Sequence, residues 1–330
     1  MASLRVITPG MLTTIQDLGR WGWQSRGVSV AGPMDPQSHR LANTLAGNGA
    51  DAATIEITLV GPEVEFDDER IAAVTGADFE VTVDGRAMPI NAPFVVGGGA
   101  VLQFGRHRRG ARAYLAIAGG IAVPPVLNSR STHLPSAMGG LEGRPLRAGD
   151  RLPLEKRGRE SFLGASSSRK SGETGLFAGP KMTPVPFSWL PAGHATVRIL
   201  PGPQLDRFAP EALDVLQSAP YVVDAASNRM GFRLRGPMLR HASDAEMLSD
   251  ATTLGALQVP AAGHPILLMA DRQTTGGYPS IATVISADIG LAGQLAPGDS
   301  ISFVVATIGE AMAALIAQER ALMAFEAGPR

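Results

Sequence analysis

The chain has 330 residues, 18% of them charged, and a formal net charge of −1 at pH 7. This length is enough for the cores of two domains, and the charge balance excludes strong electrostatic attraction to nucleic acid or to an anionic membrane. Cysteine is absent, which excludes disulfides, thiolate nucleophiles and cysteine metal sites.

Targeting signals are not evident. Residues 1–6 lack the basic and then apolar pattern of a signal peptide, and no apolar run reaches the roughly eighteen residues that a membrane span needs. We therefore expect a soluble cytoplasmic protein with no membrane partner and no nucleic-acid partner.

Short β-rich runs, separated by glycine and proline, fill the first half of the chain. They lie at 53–59, 71–75, 79–83, 94–96, 101–104 and 113–117. This spacing favours an all-β sandwich or barrel over a βαβ series. The triglycine at 97–99 precedes one of these runs and is interpreted as a hairpin turn.

Few helices are predicted. The first spans 36–46, with Asp35 as its N-cap and Gly47 as its stop, and the second covers 210–217. The third, at 309–326, places apolar side chains on one face, so we expect it to pack on the body of the protein or on a partner. These side chains are Met312, Leu315, Leu322 and Met323.

Residues 156–190 contain little to bury and are predicted to form a linker or mobile loop. They separate a first β domain at 1–155 from a second at 191–330, which ends in the third helix. All three lysines of the chain lie in this linker. Anionic ligands should therefore meet arginine forks or backbone amides instead of lysine.

The two halves carry matching short motifs. Residues 5–10 resemble 198–202, and 146–154 resemble 295–303 around a shared Gly-Asp turn. Both matches occur in the same order and bracket each half. They favour a duplicated β domain.

A dense polar segment follows the most apolar run of the second half. The run at 266–270 is typical of a buried strand, and 271–278 then supplies a carboxylate, a guanidinium, an amide, two hydroxyls, a Gly-Gly pair and a tyrosine. Glycines let the backbone take positive φ and approach a ligand closely. The pattern favours the lining of a polar pocket, and a surface loop with a diglycine turn is the alternative.

Recognised catalytic and metal motifs are absent from the sequence. It has no G-x-x-x-x-G-K-[ST] loop and no G-x-S-x-G elbow, and its six histidines show no zinc-site spacing. No metal site is predicted. Lys181-Met182 lacks the Met-Lys-Met core of a biotin attachment site, so the chain is not expected to carry biotin itself.

Several segments, taken in order, resemble a single family. They are PGMLTTIQDLGR (9–20), GPMD (32–35), EITLVGP (56–62), AGGI (118–121), SRST (129–132), NRMG (228–231), GALQVP (255–260), DRQTTGGYP (271–279) and IATV (281–284). They resemble the family of allophanate hydrolase subunit 2 and the C-type subunit of 5-oxoprolinase, which is KipA-like and related to biotin-dependent carboxyltransferases. His133 departs from the aromatic residue expected after SRST.

The resemblance implies a fold and an activity. The fold would be two tandem cyclophilin-like β-barrels with a few short helices. The activity would be that of one component of an ATP-dependent 5-oxoprolinase, which opens 5-oxoproline to glutamate, with ATP bound by the complex. One companion subunit would have a related cyclophilin-like fold (allophanate hydrolase subunit 1, or the B-type subunit of 5-oxoprolinase), and a third would be the A-type subunit of 5-oxoprolinase.

Two alternatives stay open. The chain could be a carboxyltransferase-type subunit that acts on urea- or allophanate-like amides with biotin carried on another chain. It could also be a non-enzymatic regulator that binds the companion subunit.

The polar segment is the predicted site, because opening a lactam requires contacts to developing negative charge. Arg272 and Arg229 offer guanidinium forks for an anion. Asp271 would orient Arg272 or accept a proton, with a structural Asp–Arg pair as the alternative. Tyr278 would serve as an acid, with a packed ring as the alternative.

The predicted roles divide into two sets. The catalytic set is Asp271, Arg272, Gln273 and Tyr278. The substrate-binding set is Gln258, Asn228, Arg229, Thr274, Thr275, Gly276 and Gly277, in which the amide and hydroxyl side chains would fix an amide-like substrate and the two glycines would form an anion nest with their backbone amides.

Polar residues of the first half are interpreted differently. Gln16, Asp17 and Arg20 are predicted to form a loop network or a contact between subunits. Arg130 with Thr132 could bind an anion or could belong to a structural loop.

Overall fold

The computed structural model describes residues 2–155, 175–176, 190–242 and 247–326. Within these ranges the chain is mostly β, and no helix there is long and apolar enough to span a bilayer. The helices are α1 (Pro36–Ala46), α2 (Ala212–Ser218), α3 (Ile289–Gly293) and α4 (Ile308–Glu326). The strands are β1 (Ser3–Thr8), β2 (Leu12–Gln16), β3 (Thr54–Thr58), β4 (Glu63–Phe66), β5 (Arg70–Val83), β6 (Arg86–Met88), β7 (Pro93–Val96), β8 (Val101–Ile117), β9 (Arg151–Pro153), β10 (Gly175–Leu176), β11 (His194–Pro201), β12 (Tyr221–Val223), β13 (Gly231–Arg235), β14 (Asp250–Ala251), β15 (Ala256–Gln258), β16 (Ile266–Leu268), β17 (Thr275–Gly276), β18 (Ser280–Val284) and β19 (Ser300–Val305).

The chain divides into two compact units. Unit 1 comprises Met1–Arg20, Ala31–Leu190 and Leu322–Arg330, and unit 2 comprises Trp21–Val30 and Pro191–Ala321. The predicted linker at 156–190 lies outside the described residues, apart from Gly175–Leu176 and Leu190. The predicted limits at 155 and 191 stay predictions.

Two long antiparallel strands, β5 and β8, form the centre of the ten-stranded sheet of unit 1. The sheet order is β10-β7-β5-β8-β4-β1-β9, with β2, β3 and β6 joined off this path. The sequence predicts four short strands where these two run continuously. Residues that interrupt the apolar pattern, such as Gly76 and Asp78, lie at β-bulges instead of at strand ends.

The hairpin predicted at the triglycine is wrong. Strands β7 and β8 flank it, but both pair with β5, which lies between them. The turn at 97–99 therefore connects strands that are not neighbours, because strand pairing depends on contacts far apart in sequence and not on the turn alone.

Helix α1 forms where its capping residues predict. The Asp35 carboxylate accepts hydrogen bonds from the backbone N–H groups of Gln37 and Ser38 at 3.1 and 3.0 Å. Gly47 ends the helix in the left-handed region at φ 75°. The helix packs on β5 and β8.

A histidine of α1 is fully buried in unit 1. His39 Nδ1 lies 2.9 Å from the Thr54 hydroxyl, and the His39 ring packs edge-on against Tyr114. Burial, which disfavours the charged imidazolium, lowers the pKa of His39 to about 4. The ring is therefore neutral in the folded protein near neutral pH.

Acid should destabilise unit 1 through His39. The pKa of an unfolded histidine is about 6.5, so between that pH and about 4 the unfolded chain binds a proton that the folded chain does not. The contribution of neutral His39 is complete above pH 6.5 and is lost as the pH falls. Lowering the pH from 7 to 5 should cost the wild type about 2 kcal/mol of unfolding free energy that a His39→Gln variant does not lose. Urea unfolding at both pH values measures this difference, and equal losses would contradict it.

Unit 2 contains a closed seven-stranded barrel. Its order is β11-β18-β15-β16-β13-β12-β19, and the barrel closes where β19 pairs with β11 in parallel. A separate two-stranded sheet of β14 and β17 belongs to the same unit. The all-β prediction is therefore confirmed at the level of a mostly β protein with a barrel in its second half.

The duplicated motifs produce the same turn but not the same strand pairing. Asp150 Oδ2 accepts a hydrogen bond from the Arg147 N–H at 2.7 Å, and Asp299 Oδ2 accepts one from the Ala296 N–H at 2.8 Å. The following strands differ, because β9 is antiparallel to β1 whereas β19 is parallel to β11. The shared sequence specifies a local Asp-stabilised turn and leaves the direction of pairing to the rest of the fold.

Helix α4 presents most of its predicted apolar face to solvent. Leu322 is buried in a cluster of unit 1 that includes Leu41 and Tyr114, but Met312 and Met323 are 59% and 61% exposed. These methionines therefore do not pack on the body of the protein, and packing of this face on a partner, the other predicted alternative, stays a prediction. Helix α2 begins two residues after its predicted start, at Ala212.

Candidate functional site

The predicted polar segment begins directly after β16 of the unit 2 barrel. The strand ends at Leu268, and the buried residues Met269 and Ala270 complete the apolar run. The Arg272 N–H then donates to the Met269 carbonyl at 3.1 Å, and the Ser29 hydroxyl donates to the Arg272 carbonyl at 2.8 Å. The backbone at Arg272 is thus fixed from two sides.

Asp271 pairs with Arg229, not with Arg272 as the sequence predicts. The guanidinium of Arg229 binds the carboxylate through two bonds of 3.0 Å, from Nε to Oδ2 and from Nη2 to Oδ1. The Asp271 N–H also donates to the Arg229 carbonyl at 2.8 Å. Both residues are buried, at 1% and 4% exposure. The pair connects the turn before β13 to the residues that follow β16. The Arg229 guanidinium therefore binds a carboxylate of the protein itself.

Arg272 is a buried cation with no side-chain partner in the described part of the chain. The residue is 9% exposed, and its Nε is buried without a hydrogen bond. No ion pair holds the guanidinium among the described residues. Burial lowers the pKa of Arg272 below its usual range. A buried cation without a counter-charge is costly, and an anionic ligand would offset that cost.

Position 276 needs a glycine because the Gln258 side chain lies close to its backbone, and not because its φ is positive. Neither Gly276 nor Gly277 has positive φ, so the backbone does not form the anion nest that the sequence predicts. A Cβ placed at Gly276 would lie 2.6 Å from Gln258 Nε2, whereas one at Gly277 would lie 3.3 Å from the nearest atom, the Met247 carbonyl oxygen. The Gln258 amide therefore lies directly against the Gly276 backbone.

A small pocket opens beside Gln258 and Gly276. Its volume is about 60 Å³, and Tyr278 belongs to its lining. The lining also includes Gln204 and Asp250, which the sequence analysis missed. Both are single polar residues outside any dense motif, and the pattern around them gives no signal. Strand pairing brings Asp250 to this place, because it lies opposite Gly276 in the β14–β17 sheet.

The other predicted residues lie in β17, in the turn that precedes it, or in the turn before β13. The carbonyls of Gln273 and Thr274 accept hydrogen bonds from the Thr252 hydroxyl and the Thr252 N–H. Thr275 is exposed. The side chain of Asn228 accepts a bond from the Met230 N–H at 2.8 Å, so it supports the turn that carries Arg229. The ligand-binding roles predicted for these residues stay predictions.

Polar residues of unit 1 form the predicted loop network. The Asp17 carboxylate accepts hydrogen bonds from the hydroxyls of Ser129 and Ser131, both at 2.6 Å. Arg20 donates to the Ser131 carbonyl. Arg130 donates to the Val123 carbonyl at 2.9 Å and also pairs with a carboxylate, that of Glu155. These contacts confirm the structural interpretation of this loop.

Arg20 is buried although it lies in a loop. It is 1% exposed and is among the largest fully buried side chains of the described residues.

The described residues contain no group of three or more His, Asp or Glu that could hold a metal ion.

Comparisons with known proteins identify the family. The model for the carboxyltransferase domain, subdomain A and B, matches residues 26–305. The chain is 40% identical over 317 residues to the C-type subunit of 5-oxoprolinase from Escherichia coli (strain K12), covering 96% of each chain. It is 35% identical over 312 residues to urea amidolyase of Saccharomyces cerevisiae (strain ATCC 204508 / S288c), covering 92% of this chain and 16% of the relative.

A solved structure agrees with this result. The crystal structure of K. lactis urea amidolyase matches with a TM-score of 0.86 and 33% identity, over 98% of this chain and 20% of the larger chain. The chain therefore spans about a fifth of that protein, and almost all of the E. coli relative. On the family match and on these identities, the chain belongs to the carboxyltransferase domain family, with subdomains A and B.

Proposed function

We propose that this chain is one subunit of a cytoplasmic ATP-dependent 5-oxoprolinase, which opens 5-oxoproline to glutamate together with companion subunits. The observation that carries the proposal is the 40% identity to a protein named as the C-type subunit of 5-oxoprolinase, because it extends over 96% of both chains. In this proposal the two units are cyclophilin-like, and one companion subunit has a related fold.

The substrate chemistry fits the charges of the predicted site. 5-Oxoproline is a five-membered lactam that carries a carboxylate, so a site for it must meet one anion and one amide. Arg272 supplies a buried guanidinium whose Nε has no hydrogen-bond partner within the described part of the chain, and a guanidinium binds a carboxylate through a bidentate fork. Gln258 and Tyr278, which line the pocket beside Gly276, supply amide and hydroxyl groups for the lactam.

Asp271 has a positioning role in this proposal. Its carboxylate is occupied by the Arg229 fork, so it holds the start of the segment and does not serve as a base. Removing the Arg229 guanidinium would leave this carboxylate buried without its counter-charge. In this proposal the pair holds Asp271 in place and thereby positions the next residue, Arg272.

The nucleotide is assigned to the complex and not to this pocket. A cavity of about 60 Å³ is several times smaller than the roughly 300–1,000 Å³ that ligand pockets commonly occupy. It accommodates a small group such as an amide. ATP would therefore bind elsewhere in the complex, and would activate the lactam oxygen by phosphorylation. The donors of the site then stabilise the developing charge.

A second candidate follows from the family itself. The matching model is a carboxyltransferase domain, and larger relatives are named urea amidolyase. The chain could therefore transfer a carboxyl group to a urea-like amide with biotin carried on another chain. Co-purification of a biotinylated protein with this chain, together with urea-dependent turnover, would favour this candidate over the 5-oxoprolinase.

Mixing purified subunits tests the proposal. We expect this chain alone to give little ADP or glutamate from ATP and 5-oxoproline, and the mixture with its companion subunits to give both. Substituting Arg272→Ala should then abolish most of that turnover. A regulator that only sequesters its companion would tolerate this substitution. Turnover by the isolated chain at the rate of the mixture would contradict a shared enzyme.

A further inference from the structure

We propose that the pocket between β14, β15 and β17 is an amide subsite that recognises a substrate N–H, with Asp250 as its specificity-determining acceptor. This inference rests on the proposed function and assigns the lactam group of the substrate to a defined set of residues. Gln204, Asp250, Gln258, Gly276 and Tyr278 carry it, and all five belong to unit 2.

The charge of the pocket excludes an anion. Among the described residues that line it, Asp250 is the one that carries a charge, and it is negative. A carboxylate or phosphate placed there would meet a like charge and no arginine, which is unfavourable. The carboxylate of 5-oxoproline must therefore lie outside this pocket, and the neutral lactam is the part that enters it.

The orientation of Gln258 leaves an acceptor for the ligand. Its Nε2 donates to the Tyr278 carbonyl at 3.2 Å. A carbonyl oxygen only accepts, so the amide nitrogen must face it, and this fixes the position of Oε1. Within the described residues, Oε1 of Gln258 accepts no hydrogen bond. The pocket thus contains an amide oxygen that can take an N–H from a ligand.

Asp250 provides a second acceptor, held in place by its surroundings. Its Oδ1 accepts a bond from the Ala251 N–H at 2.7 Å. Among the described residues, its Oδ2 has a single contact of 3.5 Å, from Gln204 Nε2. Gln204 is itself anchored, because its Oε1 accepts from the Ser280 N–H at 3.1 Å. Oδ2 is therefore oriented but weakly bonded, so it can accept a shorter bond from a substrate N–H.

Donors for the lactam oxygen are also present. Tyr278 is 41% exposed, and Thr253 and Thr283, which also carry hydroxyls, are among the residues that line the same pocket. A lactam presents one N–H and one carbonyl on the same edge, so a pocket with both acceptors and hydroxyl donors complements it. Sites that hydrogen-bond a substrate group discriminate strongly against analogues that lack it.

Replacing Asp250 with Asn tests the assignment. The Asn side chain can keep the Oδ1 contact to Ala251, but it changes Oδ2 from an acceptor to a donor. In the assembled enzyme, Asp250→Asn should raise KM for 5-oxoproline at least about tenfold with a smaller effect on kcat. Asp206→Asn, an exposed aspartate of the same unit, should change neither value. A fall in kcat with unchanged KM would overturn the assignment.

N-Methylation of the substrate provides the second test. Wild type should use 5-oxoproline at least about tenfold better than N-methyl-5-oxoproline in kcat/KM, and Asp250→Asn should lose most of this preference. Equal use of both compounds by the wild type would overturn the inference while leaving the 5-oxoprolinase proposal intact.

Direct binding separates this inference from the proposed function. We expect ligand-observed NMR on the full chain to detect 2-pyrrolidinone but not N-methyl-2-pyrrolidinone, and Asp250→Asn to abolish the signal. This result without 5-oxoproline turnover would support the amide subsite and contradict the proposed reaction. Binding of methylammonium in preference to 2-pyrrolidinone would contradict the amide subsite.

Discussion

Replacing Arg229 with Met should lower the free energy of unfolding by about 3–5 kcal/mol, whereas replacing Arg272 with Met should leave it unchanged or raise it. The two arginines are both buried and both adjoin Asp271. They differ in their partners, because Arg229 binds the Asp271 carboxylate in a bidentate pair and Arg272 has no side-chain partner among the described residues.

The opposite signs follow from the desolvation of charge. Without the Arg229 guanidinium, the Asp271 carboxylate, 1% exposed, loses its counter-charge in the interior. Without the Arg272 guanidinium, the folded protein loses a partly desolvated cation that has no counter-charge among the described residues. Met retains much of the apolar volume of the arginine stem in both cases.

Urea unfolding of the two variants measures the contrast, with Arg240→Met as the control because Arg240 is an exposed arginine of the same unit. The control should change stability by less than about 0.5 kcal/mol. If Arg272→Met destabilises the protein as much as Arg229→Met, then Arg272 is structural and the anion site belongs elsewhere.

Gly276→Ala should reduce kcat/KM for 5-oxoproline in the assembled enzyme at least about tenfold, or roughly 1.4 kcal/mol of transition-state stabilisation. The new methyl group would lie 2.6 Å from Gln258 Nε2. Gly276 does not have positive φ, so the backbone accepts alanine, and the flexible end of Gln258 moves instead. The amide that should bind the substrate is thereby displaced.

Stability and activity should separate in this variant. Because a side-chain end can shift, we expect the unfolding free energy to change by less than about 1 kcal/mol. Gly277→Ala is the matched control, since its Cβ would meet its nearest atom only at 3.3 Å, and it should retain most of the turnover. Equal activity of both variants would show that the position of the Gln258 amide is irrelevant to the reaction.

Local chemistry explains what the sequence could predict. The limits of α1 follow from Asp35 at its start and Gly47 at its end, because each of these residues acts only on the helix turn next to it. The two Gly-Asp turns were recognisable for the same reason. Strand pairing is non-local, so the continuity of β5 and the separation of β7 from β8 were not evident from the apolar runs.

The candidate site also has a part that the sequence predicts and a part that depends on contacts far apart in sequence. The segment 271–278 could be found because its polar residues are consecutive, but the partner of Asp271 lies 42 positions away in sequence. Asp250 was missed because only the pairing of β14 with β17 brings it to Gln258 and Gly276. For Gly276 the sequence predicts positive φ and close approach of a ligand, and the structure shows no positive φ but close approach of the Gln258 side chain.

The most direct test of the account compares turnover by the assembled enzyme carrying wild-type chain, Arg272→Lys and Arg272→Met. We predict that Arg272→Lys, which keeps the charge but loses the planar fork, reduces kcat/KM for 5-oxoproline about tenfold, and that Arg272→Met reduces it at least about a hundredfold. Arg240→Lys should match the wild type. Retention of wild-type turnover by Arg272→Met would contradict the claim that this buried guanidinium binds the substrate carboxylate.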